Sequence, residues 1–119
     1  MSRVLIIEDD MNVRNTLVDL VRMGGYSTIS PERSDDVPGA IGAGDYDLVI
    51  TDVLMPDMDG LEVLKMVRAT HPASPVLAIS GGTRRTSPEM MLHMTEMLGA
   101  DATLKKPFSK DELYAVIDR

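Results

Sequence analysis

The residues able to do chemistry in this chain lie where its apolar runs end. Val4-Leu5-Ile6-Ile7 is followed by Glu8-Asp9-Asp10, and Asp47-Leu48-Val49-Ile50-Thr51 is followed by Asp52. Two further runs end in Ser80 and, just before Pro107, in Lys106. Short continuous runs of this kind read as buried parallel strands. Open parallel sheets bind ligands at the carboxyl ends of their strands. Four strands would therefore bring three acids, a hydroxyl and a lysine to one edge. Carboxylates held within about 4 Å of one another repel by several kcal/mol even at an effective dielectric of 20. Such a site requires a cation.

The elements that must position these groups alternate regularly. Residues 3–8 read as strand one. Asp10 caps a helix with Val13, Leu17, Leu20 and Val21 on one face, and Gly24-Gly25 stops it. Residues 26–29 read as strand two. Residues 34–43 form a weak helix, because Pro38, Gly39 and Gly42 lie inside it. Residues 47–51 are strand three. Asp59 and Glu62 make a capping-box-like pair for a helix carrying Leu61, Leu64, Met66 and Val67, which His71-Pro72 ends. Residues 76–80 are strand four. Ser87-Pro88-Glu89 opens the next helix as cap, first-position proline and first-turn acid; Gly99 closes it after Leu98. Residues 102–104 are strand five, and Ser109 with Glu112 is a capping box for the last helix. Five strand–helix units without a linker imply a doubly wound parallel sheet, helices on both faces, in one domain over residues 1–119.

Composition narrows the function further. The chain has 119 residues, enough for a core without staples, and no cysteine, so disulfide and thiolate chemistry are excluded. No apolar run approaches a membrane span, and Met1-Ser2-Arg3 leads straight into a strand, so a cytoplasmic protein without membrane contact is expected. A net charge of −7 argues against binding nucleic acid through its phosphates, and aromatic content of 3% leaves little for base stacking.

Taken together, Glu8-Asp9-Asp10, the stretch from Asp52 through Val53-Leu54-Met55-Pro56-Asp57-Met58-Asp59 to Gly60, Ser80-Gly81, and Lys106-Pro107-Phe108 resemble the receiver domain of two-component response regulators. Each fragment is weak alone. All four in this order, at the ends of strands one, three, four and five, are highly specific. The resemblance covers essentially the whole chain and implies a flavodoxin-like sheet of order 2-1-3-4-5. It implies that a histidine kinase or histidine phosphotransfer protein passes a phosphoryl group to Asp52. It makes Asp9 a direct Mg²⁺ ligand, Glu8 an acid that holds the metal's water, and the Leu54 backbone carbonyl a neutral ligand. Ser80 matches the hydroxyl that contacts the phosphoryl group, and Lys106 the lysine that pairs with it. The Lys106–Pro107 bond is expected to be cis.

These roles make chemical sense. Mg²⁺ prefers carboxylate oxygen, keeps several waters and accepts phosphate oxygens. Asp52 is then a carboxylate nucleophile. Transfer to it passes through a transition state whose equatorial oxygens need positive charge and donors, which Lys106, the Ser80 hydroxyl and the metal supply. Such a domain is a stoichiometric phosphoacceptor that assists its own phosphorylation and dephosphorylation, not an enzyme with turnover on a separate substrate. Leu54 and Gly82 each stand two residues past Asp52 and Ser80, where the family can place a hydrolytic water. Neither side chain can bond it, so slow unassisted dephosphorylation is expected.

Three features depart from the family pattern. The position three before the lysine, often aromatic, is Thr103. The stretch from Ser80 to Lys106 is a few residues longer than usual. The helix after Ser87 holds Met90, Met91, Met94 and Met97 beside Leu92 and Leu98, a surplus that suits an adaptable partner surface. The expected output is therefore a phosphorylation-dependent surface formed by residues 81–98 with the last helix. Other readings are a receiver cut from a larger regulator with a DNA-binding or enzymatic output, and a haloacid dehalogenase-type phosphatase. The last would want a second acid where Leu54 stands. A flavodoxin-like nucleotide binder would want a glycine-rich loop after strand one, which is absent. Asp10 is expected to be a helix cap, Asp57 and Asp59 loop and cap residues, Arg84-Arg85 a solvated pair, and His71 and His93 without chemistry.

Overall fold

Alternate residues of a strand face opposite sides of the sheet, so an unbroken apolar strand needs a core on each side. That is how β1 (Arg3–Ile7) is used. Val4 and Ile6 pack with Leu17, Val18, Val21 and Leu113, while Leu5 and Ile7 pack with Val37, Ile41, Val63, Leu64 and Val67. The computed structural model of the chain describes residues 2–55, 58–80, 87–97 and 99–118.

Counting only strands of the main sheet, the remaining members are β2 (Ser27–Ile29), β3 (Leu48–Asp52), β4 (Val76–Ser80) and β5 (Ala102–Lys105). All pair in parallel, in the order β2-β1-β3-β4-β5. The helices are α1 (Met11–Met23), α2 (Val37–Gly42), α3 (Gly60–Thr70), α4 (Pro88–Met97) and α5 (Lys110–Ile117). The doubly wound five-stranded sheet and its flavodoxin-like order are thus as expected.

Register matters more to the site than strand length. Ile7 pairs with Thr51, so the next residues, Glu8 just past β1 and Asp52 at the end of β3, lie side by side. Asp52 is level with Ile79, and Ser80 with Lys105. A slip of one residue would turn every side chain to the other face, and two full cores forbid it. Burying each Val, Leu or Ile contributes about 1.5–3 kcal/mol.

Several boundaries differ from the sequence reading. β1 ends at Ile7, one residue short of Glu8, and β2 and β3 each begin one residue later than expected. β5 extends to Lys105, because its backbone continues to pair with Ser80. The weak second helix is a 3₁₀ turn, Ser34–Asp36, followed by six α-helical residues ending where its glycines fall. A short antiparallel pair, Leu54–Met55 with Met58–Asp59, lies between β3 and α3 and has no signature in apolar period.

The caps at Asp10, Ser87 and Ser109 are as read. The Asp10 carboxylate accepts from the N–H groups of Asn12 and Val13, at 2.9 and 3.2 Å. Ser109 and Glu112 form the reciprocal box, and Ser87 Oγ accepts from the Met90 N–H. Gly25 and Gly99, just past helix ends, take φ of +96° and +102°, which side chains resist. The Asp59 side chain lies outside the described residues, and Glu62 pairs with Lys65 on the surface of α3. His71 is buried, with its Nε2 2.6 Å from the Ile41 carbonyl and its ring edge-on to Tyr46, a packing role. Among the described residues no helix is long and apolar enough to cross a membrane.

Candidate functional site

β1, β3 and β5 deliver their charged residues to one point at the carboxyl edge of the sheet. Carboxylate oxygens of Glu8, Asp9 and Asp52 lie within 4.8 Å of one another. Glu8 and Asp52 are buried, at 3% and 2% exposure, whereas Asp9 is exposed. Lys106, the first residue after β5, reaches into the cluster: its Nζ donates to Glu8 Oε2 at 2.9 Å and to Asp52 Oδ2 at 2.5 Å. Glu8 Oε1 accepts from the Asp10 N–H at 3.1 Å. The Lys106–Pro107 bond is cis, as expected.

The electrostatics follow from that burial. Desolvation pushes the Glu8 carboxyl up to about 8; its hydrogen bond with Asp52 and the Asp52 charge add to this, while Lys106 and the Asp10 N–H oppose it. Burial alone would lower Lys106, but the Asp52 and Glu8 carboxylates overcome it and hold the ammonium above its ordinary value. One lysine therefore does not offset the burial of these acids: the Glu8 carboxyl stays raised, and a second cation would favour its charged form. Three carboxylate oxygens, one set open to solvent, form a hard-oxygen donor set of the kind Mg²⁺ takes with several waters retained.

This linkage has a measurable sign. A Glu8 pKa of about 8 in the folded protein, against 4.5 ordinarily, means the proton stabilises the fold fully below pH 4.5 and that contribution is lost as pH rises through 8. A bound cation needs the deprotonated site. The rise in thermal midpoint on adding Mg²⁺ in place of EDTA is thus expected to grow between these pH values. A Mg²⁺ effect independent of pH would contradict the protonated cluster.

The close packing behind Asp52 depends on one glycine. A Cβ on Gly60, where α3 begins, would lie 2.4 Å from Val53 Cα and 2.5 Å from its carbonyl. Both are backbone atoms and cannot swing aside. Gly60→Ala is expected to cost about 1–3 kcal/mol or more in urea unfolding. An unchanged midpoint would show that α3 does not need this approach.

Other expected site residues are placed less fully. Leu54 opens the short antiparallel pair two residues beyond Asp52. The Ser80 backbone ends β4 level with Lys105, but its side chain lies outside the described residues. So do residues 81–86, with Gly82 and Arg84-Arg85, and residues Asp57 and Leu98. The Thr103 hydroxyl lies 3.4 Å from Glu96 Oε1 of α4, and the nearby Lys105 pairs with Glu89 at 2.7 Å. Met90 and Met97 of α4 are exposed.

One site neighbour escaped the sequence reading. The expected apolar face of α1, Val13, Leu17, Leu20 and Val21, packs on the core, with Val13 and Leu20 partly buried at its margin, but Arg14 and Val18 are buried with it. Arg14 donates to the Glu8 carbonyl at 3.3 Å. The available signal was spacing: position 14 falls on the same stripe as Leu17, Val18 and Val21.

Comparison with known proteins agrees with this geometry. The model of the response regulator receiver domain matches residues 4–118, and the chain belongs to that family. It is 31% identical to the cell cycle transcriptional regulator CtrA of Caulobacter vibrioides over 97% of this chain and 48% of that protein. It is 31% identical to the DNA-binding transcriptional regulator NtrC of Proteus hauseri over 99% of this chain and 24% of that protein. The chain thus spans half or less of these relatives. Among solved structures, the chemotaxis protein CheY4 of Vibrio cholerae superposes with a TM-score of 0.85 at 27% identity, covering 100% of this chain and 98% of that one. The response regulator TrrA of Thermotoga maritima, in complex with Mg²⁺ and BeF, gives 0.82 at 26% identity, covering 99% and 97%.

Proposed function

We propose that residues 1–119 form one receiver domain whose Asp52 accepts a phosphoryl group from a histidine kinase or histidine phosphotransfer protein, with Mg²⁺ bound. The observation that carries this reading is the meeting of buried Asp52 with Lys106 at 2.5 Å and with Glu8 and Asp9 at one sheet edge. The family membership and the Mg²⁺–BeF complex of TrrA support it.

Each residue has a task it can perform where it stands. Asp9 is exposed and suits direct coordination. Both Glu8 oxygens are engaged, by the Asp10 N–H and by Lys106, which suits a role through a metal-bound water. Asp52 supplies the nucleophilic oxygen: its bond to phosphorus forms as the P–N bond of phosphohistidine breaks, and the imidazole nitrogen keeps the electron pair. Lys106 has three donors, and among the described residues it uses two, on Glu8 and Asp52, so the third can meet a phosphoryl oxygen. The Ser80 hydroxyl and the Leu54 carbonyl complete the set by the family pattern. When bound, Mg²⁺ neutralises charge on the transferred oxygens.

The domain acts as a stoichiometric acceptor in the cytoplasm. Its output is a protein contact made by residues 81–98 and α5, with no nucleic acid or membrane bound by the domain itself. The Thr103–Glu96 and Lys105–Glu89 contacts join α4 to β5 and give that surface a link to the edge where Lys106 lies. Output by a DNA-binding or enzymatic domain in a longer chain is a second reading, favoured by the length of CtrA and NtrC. The test is incubation with phosphoramidate, which offers a P–N bond as phosphohistidine does. Intact mass should show one added phosphate with Mg²⁺ and none with EDTA; no adduct under either condition would refute the reading.

A further inference from the structure

A buried guanidinium beside an acidic site needs an explanation, because Arg stays charged at all ordinary pH and burying a charge is costly without strong partners. Arg14 is 7% exposed. Among the described residues it forms no ion pair; its recorded side-chain bond is to a neutral group, the Glu8 carbonyl, at 3.3 Å. Its backbone N–H also donates to the Asp10 carbonyl at 2.8 Å. The residues between these two carbonyls are the acidic loop. Glu8 is held by Lys106 and the Asp10 N–H, and Asp10 is held by the first turn of α1. Asp9, the exposed acid, takes no part in these bonds, so its direction is set by the peptide units around it. The Glu8 carbonyl belongs to the Glu8–Asp9 peptide, and Arg14 is the side chain that holds it.

We propose that Arg14 is a positioning residue for the cation site. It fixes the Glu8–Asp9 peptide, through the Glu8 carbonyl, so that the Asp9 carboxylate faces the metal. It touches neither the metal nor the phosphoryl group. This rests on the Mg²⁺-dependent reading of the site above.

The test compares the wild-type chain of residues 1–119, Arg14→Gln and Arg14→Lys by calorimetric Mg²⁺ titration, by phosphoramidate labelling rate against Mg²⁺ concentration, and by thermal midpoint in EDTA. Lost partners beyond the coordinating atoms typically weaken metal sites at least tenfold. Arg14→Gln is expected to weaken Mg²⁺ binding about tenfold, and Arg14→Lys, which keeps charge but not the fork, about threefold. Labelling should return to the wild-type rate at saturating Mg²⁺ in both. A purely structural role would lower the midpoint and leave the Mg²⁺ dissociation constant of the folded protein unchanged, which overturns the proposal. A rate that stays low at saturating Mg²⁺ also overturns it, by making Arg14 a direct participant. If Arg14→Gln fails to fold, wild-type affinity in Arg14→Lys is the overturning result. Wild type that binds Mg²⁺ and takes phosphate while both variants match it fails this inference alone. Wild type that does neither fails the reading of the site, and this inference with it.

Discussion

Asp52→Asn will carry no phosphate under conditions in which the wild type carries one. The amide preserves the size of the side chain and an oxygen for Lys106, so the bonds at 2.5 Å and 2.9 Å that hold the lysine are not both lost. What disappears is the nucleophile, since an amide oxygen forms no stable acyl phosphate. Removing one of two buried acids also removes repulsion with Glu8, whose carboxyl is raised partly by Asp52. The variant is therefore expected to unfold in EDTA no earlier than the wild type. Intact mass after phosphoramidate treatment distinguishes the cases, and equal stoichiometry in the two proteins would place the phosphate elsewhere.

Asp9→Ala should fail for a different reason. Asp9 is the exposed member of the cluster and takes none of the hydrogen bonds that fix Glu8 and Asp10. Losing it removes a coordinating atom, and its effect should exceed the 10–100-fold typical of lost outer partners, so Mg²⁺ affinity is expected to fall by more than about 100-fold. Labelling should fall with it, while stability in EDTA is unchanged or raised because a repelling charge is gone. Ca²⁺ should occupy the wild-type site yet support labelling less well, since it favours longer bonds and more ligands. A magnesium titration unaltered by Asp9→Ala would show that the assignment is wrong.

The sequence carried the site's acids and lysine because they sit at strand ends, where apolar runs stop abruptly. Val4 to Ile7 and Leu48 to Thr51 could only be strands buried on both faces, and their parallel register then brings Glu8 level with Asp52. Lys106 was legible for the same reason, although β5 proved one residue longer than its apolar part. Helix caps were legible because Asp10, Ser87 and Ser109 act within three residues of themselves. What stayed hidden depends on tertiary contact. Arg14 breaks the apolar pattern of α1, and only the proximity of the Glu8 carbonyl shows why a charge is buried there. The pair formed by Leu54–Met55 and Met58–Asp59 is too short to impose a period. The need for glycine at position 60 comes from Val53 pressing against it, a contact that only the fold creates.

The most direct test of the central claim is chemical trapping of the phosphorylated residue. Borohydride reduces an aspartyl phosphate to homoserine and leaves free carboxylates untouched, so peptide sequencing by tandem mass spectrometry locates the acceptor. After incubation with phosphoramidate and Mg²⁺, homoserine is expected at position 52 alone, and at no position when EDTA replaces Mg²⁺. Homoserine at position 9 or 57, or at position 52 without any dependence on Mg²⁺, would contradict the account.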